Sequence, residues 1–422
     1  MRARAGIHTL GALIKITGVP MFSSDLKGSA RLAVDATLAA TDLVEAMHHN
    51  IARLPWLPVG TDARTRGITG LVYRSIRTLT EWVGSGVDLA IGQLQPLLDR
   101  ISTQADGPAR DALVAALNGV LGDHLAATAN PLALPMTFRR DGSELPRCDG
   151  GRVLLMIHGL CLSDAQWLRQ GHDHGAALAR DLGYRTSYLR YNTGLHVSTN
   201  GRELAQQLEH WISHASAPVT ELALVGYSLG GLVARSACHY ATLAGHRWPR
   251  VLKHLISLGT PHHGAPMERG GNWVDMILSS SRYSAPLAGL GRMRSAGITD
   301  LRHGSLVDED WLDVDRFAAN AVLPRTVGLP TGVACAALAA STGRCPDSLS
   351  DRLLGDGLVP VASGLGRHAD PVRALAFAAD RQWVGYGMNH LELLNRPEAY
   401  AALRAALQTP SAPARRTSRK RR

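Results

Sequence analysis

ELALVGYSLGGLVARSA, residues 221–237, is the stretch that decides the fold. Leu222 to Val225 form a short apolar run suited to a buried strand. From Leu229 the apolar residues continue as a helix. Between them stands Gly226-Tyr227-Ser228-Leu229-Gly230, a G-x-S-x-G sequence. A turn from strand to helix this tight holds its central residue in a strained conformation and leaves no room for side chains two positions away. Gly226 and Gly230 meet that demand, and Gly231 gives the helix room to approach a sheet. The N-terminus of the helix then lies beside Ser228, where its N–H groups and dipole favour a developing oxyanion. An ordinary strand–turn–helix would also accommodate a serine between glycines, so the rest of the chain must supply the chemistry.

Upstream, Val153–Ile157 is an apolar strand ending in His158-Gly159, and Thr186–Tyr191 is a second strand. The spacing predicts helices over Asp164–Asp181, Gly201–His214 and Leu229–Ala244. Downstream, Leu252–Leu258 is a strand ending in Gly259-Thr260-Pro261. Arg325–Leu329, Val372–Phe377 and Val384–Gly387 are further strand candidates, and Leu391–Leu407 is a helical stretch interrupted at Pro397. Continuous apolar strands alternating with helices predict a mostly parallel sheet covered on both faces. Residues 265–322 break the rhythm. An insertion of that length is expected to be a lid over a site or a plain structural cap.

Residues 1–140 read as a helical region, with stripes at Ala30–Ile51, Gly67–Leu98 and Pro108–Ala127. Those stripes are expected to pack on the main domain, with a membrane or lipid contact as the alternative. Residues 141–408 make the strand–helix domain, and 409–422 a polar, Pro-rich tail too poor in apolar residues to fold.

The chain has 422 residues, 45% hydrophobic and 19% charged, enough for a large core. Its formal charge is +10, but six cations lie in the last eight residues, which leaves +4 for the remainder. The basicity is thus a property of the tail, and no nucleic-acid partner is expected. The five cysteines are odd in number and contain no C-x-x-C pair, which argues against a disulfide framework or structural zinc. Sequence leaves open whether Cys335 and Cys345 pair. The N-terminus has no convincing cleavage site, and no uninterrupted apolar run is long enough to span a bilayer. The expected compartment is the cytoplasm, with peripheral membrane association as the alternative.

A serine nucleophile needs an imidazole to take its proton and a carboxylate to hold that imidazole. The order serine, acid, histidine is met by Ser228, Asp356 and His390. Asp356 lies in the glycine-flanked loop Gly355-Asp356-Gly357, with Asp380 as its rival; an aspartate beside glycine is also an ordinary turn residue. His390 follows the last strand, with His368 as rival. His239 sits about three turns along the helix after Ser228, too far to reach it. Two N–H groups are needed for the oxyanion, and Leu229 and Leu160 are the expected donors, with Cys161 as second choice to Leu160. Cys161 has no cationic neighbour in sequence to make it a nucleophile. His262 and His263 are expected to be structural. No metal or cofactor is expected.

These motifs, together with Gly259-Thr260-Pro261-His262-His263-Gly264, Gly355-Asp356-Gly357-Leu358-Val359-Pro360 and Asn389-His390-Leu391, resemble the α/β-hydrolase superfamily, in its lipase and carboxylesterase branch. The G-T-P-H-x-G stretch before an insertion is similar to bacterial lipases and to hydrolases like the inositol deacylase of GPI-anchor processing. The resemblance spans roughly Arg152 to Leu407. It implies an α/β-hydrolase fold and cofactor-free ester hydrolysis through an acyl-enzyme. The scattered apolar residues of the long insertion suit an ester with an apolar acyl group. The helical N-terminal region departs from a minimal lipase. Acyl transfer with the same residues, and a non-catalytic binding protein on the same fold, are the alternatives.

Overall fold

The computed structural model describes residues 108–265, 295–312, 324–346 and 355–409. The helices expected at 30–51 and 67–98, most of the insertion, and the tail from 410 lie outside the described residues. The chain divides into two compact units, residues 1–110 with 125–132, and residues 111–124 with 133–422. Of the first, the described part is short: Asn130 closes a turn by donating its N–H to the Leu125 carbonyl and accepting from the Leu132 N–H on Oδ1.

Helix α1 (Pro108–Ala127) has the bounds its sequence predicts, with Pro108 at its start. The second unit is built on eight strands: β1 (Thr137–Arg140), β2 (Ser143–Glu144), β3 (Gly151–Ile157), β4 (Arg185–Arg190), β5 (Val219–Tyr227), β6 (Leu252–Leu258), β7 (Ala334–Ser341) and β8 (Gln382–Tyr386). Their order across the sheet is β2-β1-β4-β3-β5-β6-β7-β8. From β4 to β8 every pairing is parallel, and β1 and β2 are antiparallel additions at one edge. The connecting helices are α2 (His174–Leu182), α3 (Val197–Ser213), α4 (Leu229–Leu243), α5 (Ala296–His303), the short α6 (Val361–Gly364) and α7 (Pro397–Gln408). The inner strands are buried: Leu222 through Tyr227, Leu255 through Leu258 and all of β7. Each such leucine, isoleucine or valine contributes roughly 1.5–3 kcal/mol relative to exposure.

Four expectations need correction. The helix over Asp164–Asp181 is two pieces, a 3-10 turn at Asp164–Trp167 and α2. Between them Gln170 and Gly171 take φ of +51° and +79°, and Asp173 starts α2 anew by accepting the Ala176 N–H. Arg325–Leu329 is irregular. The strand that follows β6 is instead β7, ACAALAAS, which sequence reading passed over because alanine is a poor strand former. Its small side chains serve packing: a methyl added to Gly364 of α6 would meet the Ala339 Cβ at 3.0 Å. Val372–Phe377 is also irregular. Val372 is 77% exposed, and only Leu375 and Phe377 of this stretch are buried. The final helical stretch is a 3-10 turn at His390–Leu394 followed by α7, with Pro397 as the first residue of α7 rather than a break within it.

The five cysteines are all free thiols, with Cys335 buried and Cys345 exposed. No helix among the described residues is long and apolar enough to cross a membrane.

Candidate active site

Strands β5 and β6 end side by side, with Tyr227 paired to Leu258. Ser228 follows directly and donates its N–H to the Leu258 carbonyl at 2.9 Å. Its φ of +54° and ψ of −121° lie where a side chain is strained, and α4 begins at the next residue. The glycines make the turn feasible. A Cβ on Gly226 would come within 2.5 Å of the Gly231 Cα, and one on Gly230 would strike the Ile157 carbonyl of β3. Ser228 is 1% exposed, and its Oγ makes no hydrogen bond among the described residues.

Asp356 and His390 come from the loops around β7 and β8. The His390 Nδ1 stands 2.6 Å from the Asp356 Oδ2, and both side chains are 1% exposed. The other oxygen, Oδ1, accepts the N–H groups of Leu358 at 3.0 Å and Val359 at 2.8 Å. The His390 N–H donates to the Asp356 carbonyl at 3.0 Å. A carboxylate oxygen facing Nδ1 places the imidazole hydrogen on that nitrogen. The neutral ring then carries its lone pair on Nε2, the arrangement a general base requires.

Both halves meet at Gly259, the residue after Leu258. A Cβ there would lie 3.0 Å from the His390 Cε1, so the imidazole rests against the backbone next to the residue that holds Ser228. Tyr227 adds a second link. Its hydroxyl donates to the His390 carbonyl at 3.1 Å, and the two rings are 4.9 Å apart.

The loop after β3 approaches from the other side: a Cβ on Gly159 would lie 3.0 Å from that of Ser228. Leu160 is fully buried, and no hydrogen bond takes its N–H among the described residues. The N–H of Cys161 is engaged by the Thr193 Oγ1 at 3.2 Å, which sets aside the second choice. Leu229 opens α4, where a helix leaves N–H groups without intrahelical acceptors. Burial pushes the Cys161 thiol up to about 12, so it supplies no thiolate.

The rivals lie elsewhere. Asp380 is exposed in a 3-10 turn, and His368 accepts the Asp370 N–H on Nδ1. His239 lies on α4 with its ring against Tyr240. His262 is buried with its Nδ1 at 3.1 Å from Arg235, and His263 donates from Nε2 to the Gly366 carbonyl. No group of three metal-ligating side chains occurs among the described residues. A cavity of about 520 Å³ at the other edge of the sheet, beside Phe138, Glu203 and Trp211, contains none of these residues. Sequence reading did not single out Tyr227 or Thr193. Tyr227 stood inside the quoted motif, whereas nothing in the local sequence marks Thr193.

Residues 149–332 match the family model described as PGAP1-like alpha/beta domain. That segment is similar to an α/β domain of the hydrolase type. The match agrees with the resemblance to the lipase and esterase branch and covers the elbow, the loop after β3 and the insertion. Among solved structures, the mature form of lipase BlEst2 from Bacillus licheniformis is 19% identical, with a TM-score of 0.37 over 62% of this chain and 92% of that one. The hyperthermophilic esterase of the archaeon Pyrobaculum calidifontis is 16% identical, with a TM-score of 0.36 over 74% and 96%. At such identities and scores neither likeness bears on substrate. No curated protein matches the chain.

Proposed function

We propose that this α/β-hydrolase domain cleaves carboxylic esters through Ser228, His390 and Asp356. The observation that carries the proposal is the buried Asp356–His390 pair, 2.6 Å apart, at the strand end where Ser228 is held at φ +54°. In this reading Ser228 Oγ attacks the ester carbonyl while His390 Nε2 takes its proton. The N–H groups of Leu160 and Leu229 donate to the carbonyl oxygen as its negative charge develops. His390 then returns the proton to the leaving alcohol, which leaves an acyl-serine. Water, deprotonated by the same imidazole, releases the acid. Asp356 fixes the tautomer and stabilises the imidazolium.

The chemistry is assigned to residues 141–408, and the substrate to an ester with an apolar acyl group. Fluorophosphonate labelling tests the reading. The wild type is expected to label at Ser228 and the Ser228→Ala variant to stay unlabelled. A folded wild type that fails to label with and without detergent overturns it. Rates on p-nitrophenyl esters are expected to rise with acyl length, and a strong preference for the acetate would overturn the apolar acyl group.

A further inference from the structure

A second cluster lies close to the elbow but takes no part in the proposed reaction. Arg235 stands seven residues beyond Ser228 on α4, roughly 10 Å along the helix. It is 3% exposed, as is His262. The two line a cavity of about 20 Å³ together with His263, Arg325, Val327 and Arg373. Arg235 donates from Nη1 to the His262 Nδ1 at 3.1 Å and from Nη2 to the Val327 carbonyl. A guanidinium only donates, so His262 Nδ1 is an acceptor and the neutral ring carries its hydrogen on Nε2.

That leaves buried donors without acceptors. Arg235 Nε, His262 Nε2 and Arg373 Nε are each buried and unbonded among the described residues. Charge is unmatched as well. Arg325 reaches Glu309 at 3.7 Å on the surface, but no carboxylate pairs with Arg235 or Arg373 among the described residues. Burial pulls the Arg235 guanidinium down to about 10, and it still carries its charge at neutral pH. A buried unpaired charge is costly by several kcal/mol in general. A water molecule would satisfy two donors and leave the charge uncompensated.

We propose that this cavity binds one small inorganic monoanion, a halide such as chloride. The volume is that of about one water-sized body, which favours a monatomic anion over phosphate, sulfate or an organic carboxylate. The donors and the surplus positive charge select an anion. The bound ion would tie α4 to residues 262–263 and 324–327, which flank the long insertion on its two sides.

Thermal unfolding of the full chain in chloride and in gluconate, at equal ionic strength, tests this. The melting temperature is expected to rise saturably as chloride replaces gluconate, and bromide is expected to act likewise. The Arg235→Met variant should lose the halide dependence, and Arg373→Gln should shift its midpoint about tenfold toward higher halide. Should Arg235→Met fail to fold, Arg373→Gln decides. Crystals grown in bromide should show an anomalous peak beside the Arg235 Nε. Equal melting temperatures in the two salts, an unchanged midpoint in Arg373→Gln, or no peak at that place would each overturn the proposal.

Discussion

Ser228 and the Asp356–His390 pair reach the same end of the sheet by different means. Ser228 is held by its immediate neighbours: a strand that ends, a helix that begins, and two glycines with no space for a methyl. The acid and the base are held by hydrogen bonds across 34 residues of chain, with the Leu358 and Val359 N–H groups on one oxygen and the imidazole on the other. One half is defined by steric exclusion and the other by donors and acceptors. Substitutions should therefore fail differently, those of the elbow glycines through folding and those of Ser228 and the pair through chemistry.

The largest effect expected is on turnover of a p-nitrophenyl ester by Ser228→Ala. Loss of a triad nucleophile costs at least about 10⁴-fold in kcat. The melting temperature should stay near that of the wild type, because the backbone of the turn is unchanged. Asp356→Asn should lower kcat by about 10⁴-fold or somewhat less, since the amide misplaces the imidazole hydrogen. If Asp356→Asn kept near-full activity, the pair would be structural and the comparison would collapse.

Gly226→Ala probes the other half. Its Cβ would press on the Gly231 Cα, and overpacking of this kind costs about 1–3 kcal/mol, readable as a lower urea midpoint. Gly357→Ala is the counterpart in the acid loop. There φ is +95° but nothing lies within 4 Å of the new methyl, so only backbone strain of about 1 kcal/mol is expected. A larger loss of stability from Gly357→Ala than from Gly226→Ala would reverse the assignment of steric and hydrogen-bonded halves.

The last prediction concerns acid. Burial holds His158 and His174 near 4, below the ordinary 6.5. Their neutral forms are favoured in the fold, so the stability they contribute is full above about pH 6.5 and is lost as pH falls toward about 4. A melting curve at pH 7 and at pH 4.5 should show the drop, and His158→Gln should reduce it.

The same contrast explains what the sequence made legible. The elbow could be read because its requirements are local: residue types at fixed spacing within one turn. Asp356 and His390 followed from chain order and from the glycines around the acid. The N–H groups that hold the Asp356 carboxylate could not be read, since every residue carries one. Strand β7 was missed because its five alanines are poor strand formers, and the close approach of α6 to Ala339 is not written in the local sequence. Thr193 joins the loop after β3 across 32 residues, with no pattern to announce it.

The alanines of β7 have one more consequence. Helix α6 rests almost directly on Ala339, and the chain enters α6 straight from the loop that carries Asp356. The strand thus acts as a shim beneath the helix that follows the Asp356 loop. A bulkier residue at Ala339 would press on that helix, and through it on the acid loop, as well as crowd the core. Reactivity in this domain is adjustable from beneath, at a position that touches none of the reacting groups.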